Sequence, residues 1–428
     1  MLSDLQFLKG WRRNIPVAII LALTLSACST NALDTAIPGK DFTYLATLEI
    51  NTEDSSADLS ARYGGEIITY KPGAGFAILG FSKEAGEMSL LSDSLEDNSD
   101  LGVTELAHAS GFSAWASGFS AWASGFNAWA SGFSAWASGQ GSRPELPAEN
   151  QAVFDLIELD EALALSTNKG AGVKVAVIDT GLDLDHSLLA SRLVPASQWR
   201  DFVDDDNRPE DVKQGNAEMF GHGTAVAGVI AQVAPRAKIL PIRVLKSNGS
   251  GNLNDVISAI DWAVSQNADV INLSLGTNAN PKSLETMVKY AAEQRVHVVI
   301  ASGNAGKSGM DRPATYANSW NHHDYILSVA SMTEVLGLKS RSTFSNYGGN
   351  LEFLTPGENV FSFYPGDTAG SFTGTSFAAP LIAGMVALDL AEGATGPAET
   401  RLAAVSTSIP GDYNGHGLPS AAKLMGAY

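Results

Sequence analysis

The sequence predicts an α/β protein: residues 151–428 form a parallel sheet with helices on both faces, preceded by a small α+β unit. Three observations predict it. From residue 151 onward, apolar runs of strand length alternate with segments of helical spacing. Polar residues stand where several of those strands end, the place where open sheets of this kind carry their chemistry. With 45% apolar and 17% charged residues, a chain of 428 residues can fill a large core.

Residues 1–27 carry Lys9, Arg12 and Arg13, then the apolar run IPVAIILALTL, Ile15–Leu25, then small residues ahead of Cys28. This order predicts an export signal. As a helix the run would be about 16 Å long against a bilayer core of about 30 Å, which disfavours a permanent span. Leu25-Ser26-Ala27-Cys28 resembles the bacterial lipobox, which implies that Cys28 becomes the acylated N-terminus of an exported, membrane-anchored protein in the outer membrane, periplasm or cell surface. An ordinary cysteine beside a signal cleavage site is the alternative. Cys28 is the only cysteine, so no intrachain disulfide forms and a thiol-ligated metal site is disfavoured. Removing residues 1–27 takes away Lys9, Arg12, Arg13 and Asp4, which turns the net charge from −19 to −21. Such an acidic chain is poorly suited to nucleic acid.

Residues 28–40 read as a linker. Within 41–108, the strand-like TYLATLEI, GEIITY and GAGFAILGF are interleaved with the more helical ADLSARYGG and EAGEMSLLSDSLED. The pattern predicts β-α-β-β-α-β, a ferredoxin-like domain that at ~65 residues is marginally stable alone.

Residues 109–140 hold one heptapeptide, GFSAWAS, written four times from Gly111 to Ser138 with Asn127 in place of one serine. Phe112, Trp115, Phe119, Trp122, Phe126, Trp129, Phe133 and Trp136 alternate spacings of three and four, a helical stripe. One glycine per heptad opposes a helix by about 1 kcal/mol each relative to alanine. No Asp, Glu, Lys or Arg occurs between Leu106 and Ser142, and tryptophan favours the headgroup level of a membrane. An aromatic helix lying on lipid or on a partner, a flexible spacer, and a transmembrane role all stay open. Residues 141–150, with Pro144 and Pro147, read as a second linker.

In 151–428 the strands are VKVAVID, KILPIRVL, VINLSLG and VHVVIASGN; the helices open at HGTAVAGVIAQ, NLNDVISAIDWAVSQ and SLETMVKYAAEQR. Asp179 ends the first strand in Asp-Thr-Gly, His222 opens a helix, Asn304 follows a strand, and Ser376 stands at the entrance of an apolar helix. Taken singly each is unremarkable: a serine at a helix start is usually an N-cap, and most histidines are structural. An aspartic dyad would need a second Asp-Thr-Gly, and there is none.

Taken together, VAVIDTGLD, GHGTAVAGVIA, ASGNAG and GTSFAAP resemble the four signature blocks of subtilisin-like serine proteases, in that family's order of Asp, His and Ser. The resemblance covers about residues 151–428 and implies a serine endopeptidase working through an acyl-enzyme. In that chemistry Ser376 is the nucleophile, His222 the base and then the acid, and Asp179 the residue that orients the imidazole. The Asn304 amide and the Ser376 backbone N–H would meet the oxyanion. Asn248–Gly251, with Ser250 and Gly251, and the segment Ser274, Leu275, Gly276 are similar to edges that bind protein or peptide substrates as an added strand. Gly221 and Gly223 are expected to let substrate backbone approach. Phe377 stands where many members carry Met, which implies resistance to peroxide. The loop holding Lys307, Asp311 and Arg312 is expected to wall the specificity pocket.

The resemblance extends to the front domain, which is similar to the inhibitory propeptide of this family and implies a self-processing precursor with its own propeptide as a partner. The family needs no cofactor for its chemistry. DFVDDDNRPED, Asp201–Asp211, offers five aspartates and one glutamate without EF-hand spacing; a structural Ca²⁺ and a solvated acidic loop are both open there. The competing class is a cell-surface binding protein that keeps the protease fold as an inactive scaffold and adheres through the aromatic repeat.

Overall fold

A computed structural model describes residues 42, 44–81, 95–97, 100–102 and 148–428, apart from 216, 218 and 318–322. Cys28, the lipobox and the aromatic repeat lie outside the described residues. Among the described residues no helix is long and apolar enough to cross a membrane.

The front unit contains β1 (Tyr44–Glu49), α1 (Ser56–Tyr63), β2 (Glu66–Lys71), β3 (Phe76–Phe81) and β4 (Leu95–Asp97). They make an antiparallel sheet in the order β2-β3-β1-β4. α1 starts where the Ser55 hydroxyl accepts the Asp58 N–H and stops at Gly64 in the left-handed region. Leu95–Asp97, the end of a stretch expected to be helical, is strand instead, because it satisfies the free edge of β1 with Tyr44 opposite Asp97. The earlier part of that stretch lies outside the described residues.

All six residues of β3 are buried, and the alternation of its side chains explains why. Ala77, Leu79 and Phe81 join Ala46, Leu48 and Leu59 in a small core beneath α1. Phe76 and Ile78, with Leu45 and Ile68, join the large core of the main body. A unit too small to fill two cores of its own therefore has its second face covered by residues from the rest of the chain.

A short strand, β5 (Asp100–Gly102), follows. The main body opens with α2 (Ala148–Leu156) and α3 (Leu159–Leu165), α2 beginning inside the expected linker just after Pro147. Then come β6 (Lys174–Asp179), β7 (Arg200–Asp201), α4 (His222–Val233), β8 (Lys238–Arg243), β9 (Ser250–Asn252), α5 (Leu253–Ser265), β10 (Val270–Leu273), α6 (Lys282–Glu293) and β11 (His297–Ala301). β12 (Ile326–Val335), β13 (Leu338–Arg341), β14 (Phe353–Pro356), the hairpin β15 (Val360–Tyr364) and β16 (Thr368–Phe372), and α7 (Thr375–Ala391) complete the part that positions the site.

The sheet order is β13-β12-β11-β10-β6-β8-β7, with β14 also paired to β12; every pair is parallel except β12 with β13. The first strand, β6, is central. The chain winds out on one side through β8, then returns to the other through β10, so the winding reverses between β6 and β10. A crevice forms at the carboxyl ends of strands at such a reversal. α7 is buried from Thr375 to Asp389, all the way round, because it packs on β10, β11 and β12 and on α4.

Candidate active site

Asp179, the last residue of β6, is fully buried, a costly place for a carboxylate without partners. Its Oδ1 accepts from His222 Nδ1 at 2.7 Å and from the Thr180 N–H at 2.7 Å. A carboxylate oxygen only accepts, so the proton of that imidazole sits on Nδ1 and Nε2 is left as the acceptor. His222 is the first residue of α4 and is itself buried. Among the described residues its Nε2 has no hydrogen-bond partner.

Ser376 is the second residue of α7. Its Oγ donates to the Ser274 carbonyl at 3.2 Å, so in this state the serine is linked to the strand edge and the histidine to the aspartate. The serine-to-histidine bond that nucleophilic catalysis uses often tightens only when substrate is bound. Pro380, four residues on, has no N–H for the Ser376 carbonyl. The Ser274 hydroxyl supplies the donor instead, at 2.8 Å, and is itself held by Asn272 Nδ2 at 3.0 Å. The side chain of Ser274, expected at the substrate edge, thus braces the helix that carries Ser376, and sequence reading missed this.

Asn304 lies just past β11. Its Oδ1 accepts from the Thr375 N–H at 2.8 Å and from Thr375 Oγ1 at 2.9 Å. Because a backbone N–H only donates, these bonds fix which end of the amide is oxygen and put Nδ2 on the opposite side. The Gly303 N–H donates to the same threonine hydroxyl at 3.2 Å. An amide locked by two bonds to one neighbour is a preorganised donor of the kind an oxyanion needs.

The glycines beside His222 serve a different purpose from the expected one. A Cβ on Gly223 would come within 2.2 Å of the Gly181 carbonyl, and one on Gly221 within 2.3 Å of the Tyr364 ring. The room left by the missing side chains is taken by the protein's own chain. His416 also stands between two glycines, but it pairs with Glu399 at 2.8 Å and plays no part in this cluster.

Of the expected substrate edges, Ser250 and Gly251 form β9, which already carries a partner: β5 pairs with it antiparallel, Asp100 opposite Asn252, Leu101 opposite Gly251 and Gly102 opposite Ser250. Ser274, Leu275 and Gly276 are buried and continue β10 toward Thr277, which bridges to Arg312. The expected pocket wall is held by Lys307, whose ammonium meets Asp311 at 3.0 Å and also the Asn278 side chain.

The carboxylates of 201–211 are already engaged. Arg243 meets Asp201 at 2.8 Å and Asp204 at 2.5 Å, Arg200 meets Asp205 at 2.8 Å, and Arg208 meets Glu210 at 2.6 Å. Asp201 Oδ1 also accepts two backbone N–H groups, and Asp206 accepts one. This donor set does not fit a Ca²⁺ cage as it stands, because arginines supply the positive charge. Among the described residues no group of three or more His, Cys, Asp or Glu is placed to hold a metal.

Phe377 is fully buried, stacked on Phe372 at 5.0 Å and 5.4 Å from the His222 ring. With no thioether beside the serine, activity is expected to survive dilute peroxide; rapid loss in a timed assay would contradict this.

The subtilase family model matches residues 170–423. Thermitase of Thermoactinomyces vulgaris is 38% identical over 235 residues, covering 53% of this chain and 77% of that protein. Subtilisin DY of Bacillus licheniformis is 37% identical over 277 residues, 61% of this chain and 94% of its own length. The major intracellular serine protease of Bacillus subtilis is 36% identical over 259 residues, 56% and 77% of the two chains. With these blocks, this sheet and this family match, the chain belongs to the subtilase family and is a serine endopeptidase.

Proposed function

We propose that the chain is an exported, lipid-anchored precursor that cuts itself and then hydrolyses peptide bonds in protein or peptide substrates through Asp179, His222 and Ser376. The observation that carries the self-processing is the pairing of β5 with β9. Going from Asp100 to Gly102 the chain moves along β9 from Asn252 toward Ser250. Beyond Ser250 lies Ser247, whose carbonyl accepts the Met219 N–H; the Met219 carbonyl in turn accepts the His222 N–H. Asp100–Gly102 thus runs toward the Ser250 end of β9 as an added strand, the mode in which a peptide substrate joins a sheet edge.

In the reaction, His222 Nε2 takes the Ser376 proton as Oγ attacks the carbonyl carbon, then gives it to the leaving amine. Asp179 holds the Nδ1–H tautomer and offsets the charge of the imidazolium. The Asn304 Nδ2–H and Ser376 N–H groups take the oxyanion in both half-reactions. Water then attacks the acyl-enzyme with the same base. No step requires a cofactor.

The front unit acts as the inhibitor. Its Thr69 hydroxyl donates to Asp261 of α5 at 2.5 Å and its Lys71 ammonium meets Asp261 at 2.6 Å, with the carboxylate buried. Phe76 packs edge-on against Tyr290 of α6 at 5.7 Å. Removing one partner of a buried ion pair typically costs about 3–5 kcal/mol. Lys71→Ala is expected to loosen the front unit, read as faster amide exchange across residues 44–81 in full-length protein; unchanged exchange would remove this contact from the inhibitory interface.

N-terminal sequencing of the catalytic fragment, beside Ser376→Ala, tests the whole reading. A fragment beginning after Gly102 and before Gly111, with the serine variant uncut, supports self-processing and keeps the aromatic repeat on the enzyme. A fragment beginning beyond Gly139 makes the repeat a discarded spacer. Wild type that stays uncut refutes self-processing. Acyl labelling lost in Cys28→Ser tests the anchor.

A further inference from the structure

No step above uses Asp211, yet this residue lies against the site. Immediately after the Asp179-Thr180-Gly181 turn, Leu182 pairs with the 209–211 segment: its N–H donates to Pro209 O at 3.0 Å, and the Asp211 N–H donates to Leu182 O at 3.0 Å. This brings the Asp211 side chain, 7% exposed, beneath the start of α4. Its Oδ2 accepts from the Gly221 N–H at 2.6 Å and from the Thr180 hydroxyl at 3.0 Å. The Thr180 hydroxyl accepts from the Gly223 N–H at 3.0 Å. The backbone N–H on each side of His222 thus ends on Asp211, directly or through one hydroxyl.

α4 needs this help. Its N-cap residue is Gly221, at φ 87 and with no side chain to cap with, and its first turn holds no acid. The exposed N–H groups of a helix start must find acceptors, and the favourable ones carry oxygen. Here they come from Thr180, next to the catalytic aspartate, and from Asp211.

We propose that Asp211 is a positioning residue for His222: with Thr180 it clamps Gly221 and Gly223, and so fixes the imidazole against Asp179. The inference rests on His222 being the general base. Burial pushes the Asp211 carboxyl up to about 8; the bonds from Gly221 and Thr180 pull it down, Asp179 pushes it up, and Arg243 pulls it down. The other titratable group facing it is Tyr364, whose hydroxyl is raised by burial and then by Asp211. Burial thus favours the uncharged acid here, which offers an acceptor without placing a second negative charge beside Asp179.

The test compares kcat and KM per titrated active site for Asp211→Asn, Asp211→Ala, Thr180→Ser and Thr180→Val, with His222→Ala as control. Asparagine copies the neutral acid, with one acceptor oxygen and an NH₂ where the acid carries its hydroxyl. Asp211→Ala and Thr180→Val are expected to lower kcat about 10- to 100-fold at unchanged KM, the scale of a misplaced catalytic group. Asp211→Asn and Thr180→Ser are expected to recover most of the loss, with the acid limb of the pH profile where wild type has it. The double variant Asp211→Ala with Thr180→Val is expected to be no worse than the poorer single one, because both break the same clamp. An unchanged kcat in both disrupting variants, or Asp211→Asn as impaired as Asp211→Ala, overturns the proposal. Should Asp211→Ala not fold, the threonine pair decides it. Full activity in His222→Ala would instead remove the base assignment on which the clamp depends.

Discussion

Ser376→Ala is expected to lower peptide hydrolysis by about 10⁶-fold, the loss that follows removal of this nucleophile in subtilisin. Stability should hardly change, since the Ser376 hydroxyl makes a 3.2 Å bond to the Ser274 carbonyl and the methyl that replaces it fits the same space. Residual turnover of about 10³–10⁴ over water would remain from the oxyanion donors and binding. The same variant should accumulate as uncut full-length chain. A variant that retained even a hundredth of wild-type activity would show that Ser376 is not the nucleophile.

Asn304→Ala is expected to cost about 10²–10³ in kcat, some 2.7–4 kcal/mol, with KM little changed; the magnitude is that of the corresponding subtilisin asparagine. The structure supplies a sharper form of this test. Thr375 donates twice to Oδ1 of Asn304, and these bonds survive in Asn304→Asp, which has the same acceptor but no N–H. Asn304→Asp should therefore fold like wild type and lose at least as much kcat as the alanine variant. If the aspartate variant were active while the alanine variant was not, Asn304 would be a brace for Thr375 and would donate nothing to the oxyanion.

The fold and the central residues were legible because alternating apolar runs and the polar residues at their ends are local signals. β6 with Asp179, α4 with His222 and α7 with Ser376 stand where the periodicity put them. What was not legible depends on neighbours distant in sequence. The glycines around His222 were read as room for substrate, yet they make way for Gly181 and Tyr364. The same Gly-His-Gly triplet occurs at His416, far from the cluster, so the triplet alone carries no information. Asp211 looked like one more carboxylate in an acidic run; only the pairing of its backbone with Leu182 turns it toward the site. Ser274 read as substrate edge, and its side-chain role follows from Pro380, 106 residues later in the chain. Leu95–Asp97 was misassigned because strand pairing with β1 outweighed local helical spacing.

The antiparallel seating of Asp100–Gly102 on β9 bears on how activity would switch on over time. On the self-processing proposed above, the front unit would be a tethered ligand while the chain beyond Gly102 is uncut, present at an effective concentration set by the linker and independent of protein concentration. After the proposed cut the same segment would be a separate molecule, and its occupancy would follow ordinary mass action. Processed enzyme should then wake on dilution and stay silent when concentrated. Progress curves should show a lag that shortens when a trace of free enzyme is added, because each freed molecule can digest the inhibitors of its neighbours.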